Sequence, residues 1–467
     1  MLLTGPSGAG KSTLLRAVAG LLLTASDGDL TGEVLIEGVP VVGSAERPAM
    51  LFQDPLAGVV ADTVGRDVAF GLENLGVPRE RLWPAVHESL RATDFPYGPL
   101  HPTAALSGGE SQRLALAGSL VLGSRVLLLD EPISMLDPVA AASVQEAVRR
   151  HLDLVGPTTI VVDHQIEPWL SLVDRLVVMD RDGCLVADGE PAAVLAESRD
   201  SLLRQGVWVP GADPPALDDV PPDLAGPWLP VSDPDVLLRG RGLGLVLTNR
   251  LTRRREPPSI ALESVNADVR AGRAVAVTGP SGSGKSSLVN VLAGLRRPTS
   301  GQVVAAAGLA TRRRGRAPAR WSSRDLATRL AWVPQMPEQG VVADTVLDEV
   351  LASSRACGRD QARSRERAEA LLELMELDGL AAASPYHLSG GEQRRMMVAA
   401  ALAAGPAVVL CDEPTVGQDR LTWAAVLGAL GSARTAGTAI TLATHDDRAV
   451  SALADDRIRL DRGRRVA

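Results

Sequence analysis

A chain of 467 residues is long enough for two domains of ordinary size, each with its own core. Apolar residues make up 45% and charged residues 22%, which argues against long disorder, and a net charge of −8 argues against attraction of the whole protein to nucleic acid. No apolar run reaches the roughly 18 to 20 residues of a membrane span. Cys184, Cys357 and Cys411 are odd in number and far apart, which excludes a disulfide framework or a CxxC metal site.

The chain opens almost at once on Gly5-Pro6-Ser7-Gly8-Ala9-Gly10-Lys11-Ser12-Thr13, and the stretch returns as Gly279-Pro280-Ser281-Gly282-Ser283-Gly284-Lys285-Ser286-Ser287. Both fit a phosphate-binding loop, in which glycines turn successive backbone N–H groups inward, the lysine reaches the β- and γ-oxygens, and the next serine hydroxyl holds Mg²⁺. A pair of ordinary glycine-rich turns is the plainer alternative. It fails on context: an apolar strand at 274–277 precedes the second copy, and both copies lead into apolar helices, at 14–22 and 288–295. Lys11 and Lys285 are the only lysines in the chain, so in a background of arginine these positions demand the compact ammonium. Only four residues precede the first loop, whereas a strand at 259–265 and a turn precede the second. The natural chain is therefore expected to begin upstream of Met1 by about 30 to 40 residues, and the first domain to lack a small antiparallel layer.

Residues 32–42 alternate like a hairpin, and 49–52 form a short strand that runs into Gln53. From 63 to 100 the chain reads as short helices broken by Pro78, Pro84, Pro96 and Pro99. Then come Leu106-Ser107-Gly108-Gly109-Glu110, a helix at 111–122, a buried strand at 126–129 ending in Asp130-Glu131-Pro132, and a strand at 159–162 leading to Asp163-His164. Strands alternating with helices, with polar residues at the strand ends, predict an α/β fold built on a mainly parallel sheet.

The second copy keeps this order. Gln335 minus Gln53, Ser389 minus Ser107 and Asp412 minus Asp130 each give 282, and His445 minus His164 gives 281. The predicted organisation is a first domain over 1–205, an acidic Pro-rich linker over 206–236 and a second domain over 237–467. The linker carries eight prolines and six aspartates, too polar to build a core. Trp208 and Trp228 within it either pin it to a domain surface or fall there by chance. Residues 311–320 hold five arginines and read as a solvated loop, with lipid headgroups as the alternative partner.

Phosphoryl transfer to water needs a phosphate cradle, a metal, a positioned water and neutralisation of charge on the phosphoryl oxygens. Ser12 and Ser286 would ligate Mg²⁺, with Asp130 and Asp412 holding it from strand ends and Gln53 and Gln335 completing its shell. Glu131 and Glu413 would polarise the attacking water. His164 and His445 would touch the γ-phosphate.

Leu-Ser-Gly-Gly-Glu after a glutamine strand and before Asp-Glu-Pro resembles the ATP-binding-cassette (ABC) ATPases, in two copies over nearly the whole chain. The resemblance implies two tandem P-loop cassettes, each with a helical subdomain and a small antiparallel layer. It implies ATP and Mg²⁺ as cofactors and an intramolecular head-to-tail pairing. In that pairing Ser389-Gly390-Gly391-Glu392 would face Lys11, and Ser107-Gly108-Gly109-Glu110 would face Lys285. Asp137 and Asp419 match the aspartates through which the family's two sites communicate. The run from Asp62 to Gly76 and the run Glu413-Pro414-Thr415-Val416-Gly417-Gln418-Asp419-Arg420 look like the energy-coupling-factor (ECF) importers of vitamins and transition-metal ions. Leu56-Ala57-Gly58 departs from the polar segment usual there, and no aromatic residue between 229 and 320 is placed to stack on adenine.

That resemblance implies a cytoplasmic, peripheral position on the cell membrane, with a T-type transmembrane subunit and a substrate-binding membrane subunit as partners and no nucleic acid. The acids after each glutamine, Asp62, Asp67 and Glu73, then Glu338, Asp344, Asp348 and Glu349, are expected to dock the membrane subunit, with Val64, Val68 and Val346 as apolar contacts. The ATPase of a sugar importer or an exporter is one alternative. A soluble ribosome-binding twin cassette is another; it calls for a long, basic, helical linker, and this one is short and acidic.

Overall fold

Strand Val126–Asp130 reads Val-Leu-Leu-Leu-Asp and strand Val408–Asp412 reads Val-Val-Leu-Cys-Asp, runs apolar enough to be buried on both faces, as inner parallel strands are. In the computed structural model each lies inside a six-stranded sheet. The structure describes residues 1–22, 31–41, 47–55, 58–134, 136–217, 220–228, 236–247, 259–311 and 313–466. Leu56, Ala57, Arg312 and parts of the linker (218–219 and 229–235) lie outside the described residues. The chain divides into two compact units, Met1–Asp213 and Pro214–Ala467.

In the first unit the sheet order is Ala49–Leu51, Val126–Asp130, Thr158–Val162, Leu2–Thr4, Leu176–Met179, Leu185–Gly189, with every neighbouring pair parallel except the last. The second unit repeats that order and sense with Leu330–Val333, Val408–Asp412, Ala439–Ala443, Ala274–Thr278, Asp456–Asp461 and Arg464–Val466. Each phosphate loop thus leaves the carboxyl end of an inner strand, and the parallel strand two places along the sheet ends in Asp130 or Asp412 at the same edge. Both units are α/β, as the sequence predicts.

Helices Val64–Asn74 and Arg79–Ala92 pack with Gly108–Leu120 around Val64, Val68, Leu72, Leu82, Val86, Leu90 and Leu114, a core of their own. Pro84 lies inside Arg79–Ala92 without ending it, contrary to the sequence reading. The second unit carries a three-stranded antiparallel sheet, Ser259–Arg270, Val236–Leu247 and Ser300–Ala305; the described counterpart in the first unit is the two-stranded pair Leu35–Ile36 and Val39–Pro40. Val236–Leu247 escaped the sequence reading because Gly240, Gly242 and Gly244 interrupt its apolar pattern.

Residues 206–236 do contribute to cores, contrary to expectation. Val207 and Val209 join the apolar core of the first unit, and Trp208 is buried beside them. In the second unit Val220 and Ala225 are buried, the Val220 amide donates to Ser432 Oγ (3.0 Å) and the Trp228 amide to the Gly405 carbonyl (2.9 Å). The Trp228 ring lies beneath the guanidinium groups of Arg359 and Arg363, 5.5 and 4.7 Å from its centroid. Gly405 has φ +57° and a Cβ there would sit inside the Trp228 ring. Its counterpart Gly123 faces open space. Both tryptophans are seated by their surroundings, which settles the choice the sequence left open.

Candidate active sites

Strand Leu2–Thr4 ends at Gly5, whose φ of 153° brings the backbone so close to the Met179 carbonyl that a Cβ would collide with its oxygen; Gly279, at 144°, stands in the same relation to Leu460. The loops then wrap back to Gly10 and Gly284, the left-handed residues that start helices Lys11–Val18 and Lys285–Leu292. Helix N-termini present unpaired N–H groups, and with the turned loop they make a concave, anion-seeking surface.

Lys11 is buried, and its Nζ donates to the Gly5 and Pro6 carbonyls at 3.0 and 2.7 Å. Lys285 Nζ donates to Gly279 and Pro280 at 2.9 and 3.2 Å. Each ammonium is therefore held over its own loop, where phosphate oxygens would meet it.

The Ser12 hydroxyl donates to Asp130 Oδ1 at 3.0 Å, and Ser286 bonds Asp412 in the same way. Burial, helped by the adjacent Glu131 charge, pushes the Asp130 carboxyl up to about 6; burial, opposed by the Ser286 bond and helped by Glu413, does the same for Asp412. Asp412 Oδ1 is buried without a hydrogen-bond partner. Hydroxyl, carboxylate and the amide oxygen of Gln53 or Gln335 form an all-oxygen set that suits Mg²⁺, and among the described residues no group of three His, Cys, Asp or Glu could hold a metal by itself. Mg²⁺ fits these residues only in company with phosphate oxygens.

A raised carboxyl pKa has a consequence for stability. The folded value lies above the unfolded one, so the fold binds more protons than the unfolded chain between about pH 4 and 6, and stability falls as pH rises through that window, by about 3 kcal/mol per group at most. Asp130→Asn and Asp412→Asn mimic the protonated acid. Each is expected to raise the melting temperature of the nucleotide-free protein at about pH 7.5 and to leave it nearly unchanged at about pH 4. Equal shifts at both pH values in a thermal melt would contradict the assignment.

Glu131 and Glu413 occupy left-handed backbone, φ 47° and 53°, held by amide bonds to the Val162 and Ala443 carbonyls at 2.9 Å. A side chain with a Cβ tolerates that conformation at a cost of order 1 to 3 kcal/mol, of the kind found at functional sites. Glu131 Oε1 lies 3.1 Å from His164 Nε2, Gln53 also bonds this carboxylate, and Oε2 is buried without a partner. Burial alone would raise the Glu131 pKa; the His164 charge and hydrogen bond, with Lys11 and Gln53, outweigh it and hold the carboxyl below its ordinary value. In the second unit Glu413 Oε1 meets His445 Nδ1 at 3.0 Å. Burial opposes the imidazolium there, but the Glu413 charge and bond prevail and raise the His445 pKa. The two histidines thus present opposite ring nitrogens to equivalent glutamates.

Two tryptophans that the sequence reading passed over fix these histidine loops. Trp169 Nε1 donates to Asp163 Oδ2 at 2.9 Å, and the Gln165 amide donates to Asp163 Oδ1 at 2.9 Å. Trp423 Nε1 donates to Asp446 Oδ2 at 2.7 Å. Burial raises Asp163 to about 6 against the pull of these bonds.

In the first unit the phosphate loop, the strand-end acids, Gln53 and His164 come together, and in the second the phosphate loop, Asp412, Glu413 and His445 do. Ser107, Gly108 and Gly109, and Ser389, Gly390 and Gly391, stand apart from that set at the start of helices Gly108–Leu120 and Gly390–Ala403, closed by capping boxes with Glu110 and Glu392. Asp137 and Asp419 cap the helices Pro138–Val155 and Arg420–Thr435, accepting from Val139 and Ala140, and from Leu421 and Thr422.

Among the acids expected to dock a partner, Asp67 and Glu349 need correction. Asp67 Oδ1 accepts from the Val60 and Ala61 amides at 2.8 and 3.0 Å, and Glu349 Oε2 from Val342 and Ala343 at 2.7 and 2.8 Å. Both carboxylates hold the loop after the glutamine. Asp348 pairs with Arg355 at 2.7 Å, and Val64, Val68 and Val346 are buried in the helical core. Asp62, Glu73, Glu338 and Asp344 are exposed, and beside them the loops expose Val60 and Val342, 56% and 78% accessible and equivalent at the 282 offset.

A family model described as ABC transporter matches residues 1–134 and 262–416. The provisionally named HMP/thiamine import ATP-binding protein YkoD of Bacillus subtilis is 31% identical over 475 residues, covering 97% of this chain and 83% of that protein. Provisionally named ABC transporter ATP-binding proteins are similar too. One from Methanosarcina acetivorans is 30% identical over 96% of this chain and 77% of its own length, and SCO2324 of Streptomyces coelicolor is 32% identical over 100% and 88%. Among solved structures, "RNase-L Inhibitor" aligns with a TM-score of 0.58 over 100% of this chain and 85% of that one, at 21% identity. "Model of ribosome-bound archaeal Pelota and ABCE1" aligns at 0.65 over 99% and 73%, at 20% identity. At such identities the likeness extends to the fold alone.

Proposed function

The chain belongs to the ABC transporter family of ATPases, and from that premise we propose that it powers an ECF-type importer of a vitamin or a transition-metal ion. It is an ATP-binding subunit that hydrolyses ATP. The observation that carries the finer reading is the similarity, along 97% of the chain, to a relative named for HMP/thiamine import. Two complete sets of site residues support turnover in both cassettes, since neither lacks its lysine, strand-end acid, glutamate or histidine.

In the proposed mechanism Lys11 and Lys285 leave their loop carbonyls to meet the β- and γ-phosphates, and the loop N–H groups cradle the remaining oxygens. Mg²⁺ would be held by Ser12, Gln53 and Asp130, and by Ser286, Gln335 and Asp412, and would supply charge neutralisation at the phosphates. The free Oε2 of Glu131 accepts a proton of the attacking water while His164 keeps the carboxylate oriented through Oε1; in the second cassette Glu413 takes that role, oriented through Oε1 by the His445 ring and through Oε2 by the His445 amide at 3.4 Å.

No helix among the described residues is long and apolar enough to cross a membrane. The proposed partners are a T-type transmembrane subunit and a substrate-binding membrane subunit, met at the cytoplasmic face. The exposed Val60 and Val342, beside the glutamine loops, are the proposed apolar contacts. The test is to purify the chain from native membranes, identify its partners and measure uptake. Val60→Arg with Val342→Arg is expected to release the protein from those partners and abolish uptake while ATP binding persists; a double variant that still co-purifies and transports places docking elsewhere. Partners that prove to be ribosomal, or an exporter, would overturn the ECF reading.

A further inference from the structure

Arg394, on helix Gly390–Ala403, is almost fully buried, and its guanidinium joins two loops. Nη2 donates to the Gln335 carbonyl at 3.1 Å, and Nη1 donates to the Val416 carbonyl. The first carbonyl belongs to the glutamine loop after Leu330–Val333, the second to the loop that runs from Glu413 to the helix cap Asp419. A further bond reinforces the second contact. Gln418 Nε2 donates to the Gly391 carbonyl at 3.2 Å, and Arg395, anchored by Nε on the Met375 carbonyl, approaches Gln418 Oε1 at 3.5 Å.

The first unit has different residues at three of the positions that make these contacts. At the 282 offset Gln112 stands for Arg394, Ser134 for Val416 and Leu136 for Gln418. Gln112 is 1% exposed, and neither of its amide atoms has a hydrogen-bond partner among the described residues. An amide there spans neither gap, and leucine cannot make the bond that Gln418 makes. The planar fork of a guanidinium, with two donors set for two carbonyls, is the feature that distinguishes the second unit.

We propose that Arg394 is a positioning residue that ties the Gln335 loop to the Glu413–Asp419 loop, so that a γ-phosphate met at Gln335 reorders the second catalytic loop, while the first unit, with Gln112 and Leu136, has no such tie. The proposal rests on reading Gln335 as a γ-phosphate-responsive residue and Glu413 as the catalytic carboxylate. It makes the two ATP sites unequal although both carry every catalytic group.

Amide hydrogen exchange on the full-length protein tests it, comparing Mg²⁺·ADP with a Mg²⁺-bound non-hydrolysable ATP analogue. In the wild type, residues 335–340 and 413–419 are expected to gain protection together with the γ-phosphate, and residues 131–137 to gain less. Arg394→Gln, which grafts the first unit's residue, should keep the response at 335–340 and lose it at 413–419, with kcat lowered about tenfold and the KM for ATP unchanged. Arg394→Lys should not rescue it, because one ammonium lacks the fork. A merely structural role would instead lower stability and nucleotide binding together, without separating the two loops. If Arg394→Gln does not fold, Gln418→Leu carries the test, with the same loss at 413–419 expected. A response at 413–419 that survives in the variant overturns the tie. A wild type in which 335–340 ignores the γ-phosphate overturns the reading beneath it, and the proposal with it.

Discussion

Glu131→Gln and Glu413→Gln are each expected to lower turnover at their own site about 10²-fold or more with nucleotide binding kept, because each removes the carboxylate proposed to accept a proton from water. The substitution is nearly isosteric, and an amide oxygen can still accept from His164 Nε2 or His445 Nδ1, whose partners now lie 3.1 and 3.0 Å away. The left-handed backbone at both positions is fixed by amide bonds to Val162 and Ala443 that the change does not touch. Lys11, Ser12 and Asp130 are unaltered, so affinity should hold. Single-turnover hydrolysis with nucleotide-binding stoichiometry reads the two effects separately. A variant that hydrolyses at the wild-type rate would show its site to be regulatory.

Trp169→Ala and Trp423→Ala should each cost about 3 to 5 kcal/mol of stability, since both rings are almost wholly buried and truncation leaves a cavity. The loss is not only volume. Each indole N–H satisfies a carboxylate beside a site histidine, Asp163 next to His164 and Asp446 next to His445. Trp169→Phe separates the two contributions: it keeps most of the ring but strips one donor from a fully buried carboxyl, at about 1 to 3 kcal/mol. Without that donor Asp163 should rise further above about 6, so that the Phe variant's melting temperature falls more steeply than the wild type's as pH increases from about 4 to 7. Parallel pH profiles for the two proteins would remove the tryptophan from this role.

Residues answerable to phosphate chemistry were the legible ones. A glycine that must approach a carbonyl, a lysine proposed to reach γ-oxygens and an acid at the end of a buried strand have few substitutes, so order and spacing predicted the parallel sheet and the cluster that Lys11, Ser12, Asp130, Glu131 and His164 form. Contacts made by generic groups were not legible. An indole six residues beyond its carboxylate, as in Trp169 with Asp163, or 23 residues before it, as in Trp423 with Asp446, leaves no pattern in the sequence. Asp67 and Glu349 show the opposite error. Their equal spacing in two copies reads as a shared outward surface, yet the shared task is internal, to gather two loop amides each. A sequence records that an acid recurs, not which way it turns. Pro84 likewise reads as a helix breaker but sits within the second turn of Arg79–Ala92, where the surrounding core of Leu82 and Val86 holds the helix together.

The scarcity of lysine gives the molecule a use as its own reporter. Lys11 and Lys285 are the only side-chain amines in the chain, and both are buried with their nitrogens bonded to loop carbonyls. A lysine-specific protease therefore has two targets, each inside a phosphate loop, and neither can be cut until that loop opens. Cleavage at the first frees the segment that ends at Lys11, and cleavage at the second separates residues 12–285 from those after Lys285. The order in which these fragments appear, with and without nucleotide, would clock the opening of each site separately on the unmodified protein.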